Sequence, residues 1–148
     1  MAQLKLRAPP RPVVLIVEDD AWMGTIAGEL LEYEGFAVVT AADGRAGLAM
    51  AERLKPAVIV LDLGLPLVSG GELLRRLRAR PKLRKTPVIV VSGHAGRLPD
   101  AILEQVAAAL RKPIDVTELI ERVHEAVGQQ PVLASGKADG KADGWTRP

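Results

Sequence analysis

The run Val58-Ile59-Val60-Leu61 is apolar without a break and stops on a carboxylate, Asp62. A short continuous apolar run bounded by turn residues, here Pro56 and Gly64, reads as a strand buried on both faces, the pattern of a parallel sheet. Two more runs behave alike: Val13-Val14-Leu15-Ile16-Val17 leads straight into Glu18-Asp19-Asp20, and Pro87-Val88-Ile89-Val90-Val91 ends on Ser92. In open α/β sheets, ligands bind in the crevice outside the C-terminal ends of the strands. Two buried strands that deliver acids to that edge mark a candidate site.

The segments between these runs carry helical spacing. Met23, Ile26, Ala27, Leu30 and Leu31 predict a helix over about 21–34, stopped by Gly35. A strand follows over 36–41, then a helix over 45–54 closed by Pro56. Leu73, Leu74 and Leu77 predict a third helix ending near Pro81, and a weaker helical stretch covers about 99–107. Ala109-Leu110-Arg111 is an edge-strand candidate before Lys112-Pro113, and Val116, Leu119, Ile120, Val123 and Val127 form an amphipathic last helix. Five β/α alternations call for a parallel sheet with right-handed crossovers and helices on both faces. The expected fold is therefore α/β and flavodoxin-like, a doubly wound five-stranded (βα)5 sheet of strand order 2-1-3-4-5. That order makes strands 1 and 3 neighbours and brings Glu18, Asp19 and Asp62 to one crevice.

Three regions are expected: a basic, proline-rich arm over 1–12, one domain over 13–127, and a flexible tail over 128–148. The tail holds the tandem repeat Gly136-Lys137-Ala138-Asp139 and Gly140-Lys141-Ala142-Asp143, too short to stack as a solenoid, and Trp145. Net charge is +2, yet the arm alone contributes +3, so the domain itself is slightly acidic and the excess argues little for nucleic acid. With no cysteine, disulfides and thiolate chemistry are off the menu. Aromatics make up only 3%, so the core must be aliphatic. No apolar stretch approaches a membrane span, and prolines 9, 10 and 12 interrupt any signal-peptide pattern, so the expected location is cytoplasmic.

Carboxylates about 4 to 6 Å apart repel by on the order of 3 to 4 kcal/mol per pair at an effective dielectric near 20. Some must then be protonated, or a cation must sit among them. Oxygen-only ligands favour a hard ion, and one or two carboxylates plus waters is the habit of Mg²⁺. Ser92 offers a hydroxyl donor, Lys112 a point charge for a phosphate oxygen, and Asp62 a carboxylate able to form an acyl phosphate.

At this point the chain resembles a response-regulator receiver domain of two-component signalling, CheY-like, over about 13–127. The resemblance rests on Val17-Glu18-Asp19 after strand 1, Asp62-Leu63-Gly64-Leu65-Pro66 with Gly70, Val91-Ser92-Gly93, and Lys112-Pro113, each at an expected strand end. It implies that Asp62 takes phosphate from a phosphohistidine on a histidine kinase or histidine phosphotransferase. Glu18, Asp19, Asp62 and the Gly64 backbone carbonyl would hold Mg²⁺, and Ser92 and Lys112 would grip the phosphoryl oxygens. The signal would pass to a downstream protein of unknown identity, or phosphate would be relayed onward. The face of the fourth helix, fifth strand and fifth helix would serve as output and as a homodimer surface. Asp20 reads as a helix N-cap.

Where the family usually carries an aromatic, three residues before the Lys, this chain has Ala109, so a tyrosine-gated output is not expected. The stretch between Ser92 and Lys112 is also short for a full fourth helix. His94 reads first as a solvated loop side chain. By the resemblance, its position and that of Gly64 border the phosphoryl group, which makes His94 a modulator of phosphate lifetime. The basic run Arg75, Arg76, Arg78, Arg80, Lys82, Arg84 and Lys85 reads as a solvated face, with partner docking next and nucleic acid last, since no aromatic interleaves.

The leading expectation is a stand-alone phosphoacceptor, not an enzyme, although it assists its own phosphoryl transfer and dephosphorylation. A receiver module cut from a hybrid histidine kinase is an alternative. A Mg²⁺-dependent aspartyl-phosphate phosphatase is another, weakened because Leu63 and Gly64 follow Asp62 where such enzymes place a second Asp. A flavin binder would need a glycine-rich first loop that this chain lacks.

Overall fold

The computed structural model describes residues 10–65, 69–93 and 96–128. Ten elements alternate: β1 (Val13–Val17), α1 (Ala21–Tyr33), β2 (Ala37–Ala41), α2 (Gly44–Leu54), β3 (Val58–Asp62), α3 (Gly70–Arg78), β4 (Val88–Ser92), α4 (Asp100–Leu103), β5 (Ala108–Arg111) and α5 (Val116–Val127). The five strands form one parallel sheet in the order β2-β1-β3-β4-β5, as the alternation required.

Side chains alternate across each strand and so build two cores. Val14, Ile16, Val58, Val60, Ile89 and Val91 pack with α1 and α5 through Ala27, Leu31, Leu119 and Val123. Leu15, Val17, Ile59, Leu61, Val88 and Val90 pack on the other face with Ala51 of α2 and Leu73, Leu74 and Leu77 of α3. Each of these Val, Leu and Ile side chains stabilises by roughly 1.5 to 3 kcal/mol on burial, and the alanines by less. Phe36 is the one aromatic among the buried hydrophobic residues described, so the core is aliphatic as the composition implied.

Short polar side chains start the helices by accepting the first free N–H groups. Asp43 takes the Ala46 N–H at 2.8 Å, Ser69 that of Glu72 at 3.2 Å, and Asp115 those of Thr117 and Glu118 at 2.9 and 3.2 Å. Asp20 does the same for α1, accepting from Met23 N–H at 3.2 Å, which bears out its reading as a cap. The fourth helix is one turn, four residues, and stops well before 107. By Ala107 the chain must already be extended, because its N–H donates to the Val88 carbonyl at 2.8 Å to enter the sheet.

The basic run is not uniformly solvated. Arg75 and Arg76 both bind Glu72 on the exposed side of α3, and Arg80 pairs with Glu52 of α2. Arg78 instead turns inward, its Nη1 donating to the carbonyls of Leu83, Arg84 and Thr86 at 3.2, 3.0 and 2.8 Å and its Nη2 to that of Gln105 at 2.8 Å. One guanidinium thus ties the end of α3 to the loops entering β4 and β5. Periodicity alone could not separate this arginine from its neighbours. Arg78→Met keeps the aliphatic stem and removes every donor; it is expected to cost about 2 to 3 kcal/mol, measured by urea unfolding.

No described helix is long and apolar enough to cross a membrane. The expected tail from 129 onward and residues 1–9 of the arm lie outside the described residues, as does His94.

Candidate functional site

Sheet order and register assemble the site. Val17 pairs with Leu61, Asp62 with Val91 and Ser92 with Arg111, so the residues at or just past the ends of β1, β3, β4 and β5 share one edge. Glu18 is held there by its N–H, which donates to the Ala41 carbonyl at 3.0 Å, and Lys112 by its N–H on the Ser92 carbonyl at 2.9 Å. Carboxylate oxygens of Glu18, Asp19 and Asp62 lie within 4.8 Å of one another. Glu18 and Asp62 are buried, while Asp19 is exposed.

Lys112 is the counter-charge. Its Nζ donates to Asp62 Oδ2 at 3.1 Å and sits 3.4 Å from Glu18 Oε2. The other Asp62 oxygen, Oδ1, accepts the Gly64 N–H at 2.9 Å, which fixes the carboxylate plane. Burial raises the Lys112 ammonium's desolvation cost, but the hydrogen bond to Asp62 and the charges of Asp62 and Glu18 outweigh it, and its pKa moves above the usual lysine value. Glu18 is pushed above the usual carboxylate range by burial, with the Asp62 charge adding to the push; the Asp20 N–H and Lys112 offset it only in part.

A cavity of about 350 Å³ opens over this edge, lined by Asp19, Asp62, Gly64, Ser92, Gly93 and Lys112 together with Leu63. The structure therefore brings together Glu18, Asp19, Asp62, Gly64, Ser92 and Lys112. Ala109, exposed on β5, does not line this cavity.

Gly70 shapes the site from behind, a role its place in a glycine-rich turn did not reveal. A Cβ there would stand 2.4 Å from Leu63 Cα and 2.7 Å from the Asp62 carbonyl oxygen, both backbone atoms with nowhere to go. Only a glycine lets the first turn of α3 approach the loop that carries Asp62. Gly70→Ala is expected to displace that loop and cost on the order of 1 to 3 kcal/mol, read as a lowered urea midpoint.

The set is oxygen-rich, acidic and partly desolvated, with one fixed ammonium. Such a group suits a hard divalent cation: three carboxylates converge, and Lys112 alone leaves the Glu18 pKa still raised.

Residues 14–124 match the family described as the response regulator receiver domain. The DNA-binding dual master transcriptional regulator RpaA of Synechocystis sp. is 36% identical over 115 residues, which cover 76% of this chain and 47% of that protein. Hybrid signal transduction histidine kinase D of Dictyostelium discoideum is 34% identical over 115 residues, 76% of this chain and 7% of the kinase. The chain thus spans about half or less of the length of these curated relatives. Among solved structures, the receiver domain of sensor histidine kinase PA1611 from Pseudomonas aeruginosa, with a magnesium ion coordinated in its active site cleft, superposes with a TM-score of 0.72 at 27% identity, covering 80% of this chain and 99% of that one.

Proposed function

The chain belongs to the response regulator receiver domain family of two-component signalling, and from that premise we propose that Asp62 is its phosphoacceptor. The observation that carries this reading is the buried Asp62 carboxylate, oriented by Gly64 N–H and facing Lys112 in a cavity that Asp19 also lines, with a Glu18 oxygen within 4.8 Å.

An Asp62 oxygen attacks the phosphorus of a phosphohistidine on a histidine kinase or phosphotransferase. The new O–P bond forms as the P–N bond breaks, and the imidazole leaves with the bonding pair. Lys112 and the Ser92 hydroxyl hold phosphoryl oxygens as negative charge shifts onto them, and Gly64 keeps Asp62 in line. Glu18, Asp19, Asp62 and the Gly64 carbonyl would hold Mg²⁺, which supplies charge neutralisation for the transferring group. The product is an acyl phosphate that signals to a protein partner or passes phosphate on, so the chain acts as a signalling module in the cytoplasm rather than as a turnover enzyme. His94 would tune the lifetime of that acyl phosphate.

The test is incubation with a small acyl-phosphate donor: stoichiometric label on the chain that requires Mg²⁺ and is removed by mild alkali is expected. Absence of label with Mg²⁺ and donor both present would sink the reading.

A pH dependence follows from Glu18. Its pKa is raised on folding, so its contribution to stability is present in full below the ordinary value of 4.5 and is lost as pH rises through the raised value. Near neutral pH the ionised Glu18 therefore opposes folding, and a divalent cation beside it relieves that opposition. Millimolar Mg²⁺ is expected to stabilise the chain by about 1 to 2 kcal/mol at neutral pH and by much less below pH 4.5, where Glu18 is protonated. Thermal unfolding with and without Mg²⁺ at both pH values checks it; equal shifts at the two would place the ion elsewhere.

A further inference from the structure

Charge is segregated between the two edges of the sheet. Acids meet at the edge that holds Asp62, and cations gather at the opposite edge, where the strands begin. The Ala57 N–H donates to the Val13 carbonyl at 2.8 Å and the Ile59 N–H to the Pro87 carbonyl at 3.0 Å, so the entries to β1, β3 and β4 lie side by side. Those entries carry Arg11, Lys55 and Lys85, all exposed. Arg53 in the last turn of α2 is exposed beside Lys55, and Lys82 and Arg84 in the loop after α3 beside Lys85. Two further arginines fix this platform from within. Arg78 holds the loop through the carbonyls of Leu83, Arg84 and Thr86, and Arg80, paired with Glu52, ties the end of α3 to α2. None of the six exposed cations forms an ion pair among the described residues. Glu52, already engaged by Arg80, and Glu104 on the β5 side border the patch.

We propose that this edge binds the phosphate backbone of a nucleic-acid duplex without reading its sequence. Neighbouring strand entries are about 4.8 Å apart, so the three that carry cations span about 10 Å. Six cations match about 10 Å of duplex axis, which bears one charge per about 1.7 Å; even an all-acidic extended peptide would need about 20 Å at roughly 3.3 Å per residue. The patch also lacks the apolar anchor that protein interfaces and membrane surfaces use. Tyr33, the one exposed large hydrophobic side chain among the described residues, ends α1 on the other face of the sheet. Missing aromatics count against stacking of single-stranded bases and are no obstacle to backbone contact. The partial negative charge at a helix C-terminus accounts for a cation such as Arg53, but the other five lie outside the helices. Lys55 is the sharpest case. Its φ of 48° and ψ of 65° are the left-handed conformation that favours glycine at a helix end, so a cation stands where the backbone would rest more easily without a side chain. The acids at the far edge repel phosphate and so turn the duplex away from Asp62.

The experiment titrates the full chain, without phosphodonor or Mg²⁺, into a fluorescent DNA duplex of about 20 base pairs and reads anisotropy as salt is varied. Its outcome is separate from that of Asp62 labelling. A dissociation constant on the order of 1 to 100 μM near physiological salt is expected, equal for two unrelated sequences. With about 0.9 for each phosphate contact, six cations give a slope of log K against log salt near −5. The triple variant Lys82→Ala, Arg84→Ala, Lys85→Ala is expected to reduce that slope by about 3, and Lys55→Gly by about 1. Lys55→Gly is also expected to keep or raise the thermal midpoint, so its weaker binding is not a loss of fold. Arg45→Ala removes an exposed cation from the first turn of α2, at the far edge, and is expected to leave the slope unchanged. Absence of salt-dependent binding, an unchanged slope in the triple variant and in Lys55→Gly, or an equal fall in Arg45→Ala overturns the proposal. Tighter binding to phosphatidylserine vesicles or to an oligoglutamate peptide than to the duplex would assign the edge to a membrane or an acidic protein and also overturn it.

Discussion

Asp62→Asn is expected to abolish phosphate uptake from a small acyl-phosphate donor and to leave the fold intact, with its stability changed by no more than about 1 kcal/mol. The two halves of that result have separate causes. An amide lacks the anionic oxygen that attacks phosphorus, so no acyl phosphate forms. It retains a carbonyl oxygen that can accept the Gly64 N–H, now bound by Oδ1 at 2.9 Å, so the turn after β3 keeps its anchor. The change also removes one of three carboxylates whose oxygens crowd within 4.8 Å, and that relief offsets the loss of the Asp62–Lys112 pair, because with Oδ1 on the Gly64 N–H the new Nδ2 donor faces the Lys112 ammonium. Radiolabel incorporation and the urea midpoint, measured on the same preparation, check both parts. Label remaining on the variant would move the phosphoacceptor to another residue, and a large loss of stability would mean that Asp62 is needed for folding.

The second large effect is expected at Lys112. Lys112→Met keeps the aliphatic stem and removes the only described ammonium that meets both Asp62 and Glu18. Loss of one preorganised donor to the charge that develops in transfer lowers rates by about 10²- to 10³-fold, and that is the expected loss in the rate of label uptake. Lys112→Arg preserves the charge but replaces a compact ammonium with a wide planar fork, and should restore only part of the rate. A purely structural lysine would behave otherwise: uptake would track the folded fraction, and both variants would label at the parental rate once that fraction was matched. Removing the counter-charge should also raise the Glu18 pKa further, so the pH at which Mg²⁺ begins to stabilise the chain should move upward with it.

Much of this site was legible in the residue order. Val58 to Asp62 and Val13 to Glu18 announce buried strands ending on acids, and those patterns are local: each depends only on a run of apolar residues meeting a polar one. The cap at Asp20 was legible for the same reason, since an N-cap is a contact between residues three apart. The fourth helix was expected as a weak one over about 99–107 but is a single turn, because the pull of Ala107 into register with β4 is not a property of residues 99–107 themselves. Arg78 was misread as one more surface cation. Nothing in its neighbours shows that four carbonyls, three from the loop after α3 and one from Gln105, converge on it.

The linear order of residues thus sufficed for the class of fold, the strand ends and the list of groups that meet there, because short-range patterning and the alternation of strand and helix leave few topologies open. Tertiary structure alone decided which of those groups touch. It placed Lys112 between Asp62 and Glu18, residues 50 and 94 positions away, and it required Gly70 because backbone from β3 and α3 come within a Cβ radius of each other. It also left a hollow at Ala109, where a small side chain on an edge strand meets a helix too short to cover it. Such distances depend on packing of elements remote in sequence, and no local pattern carries them.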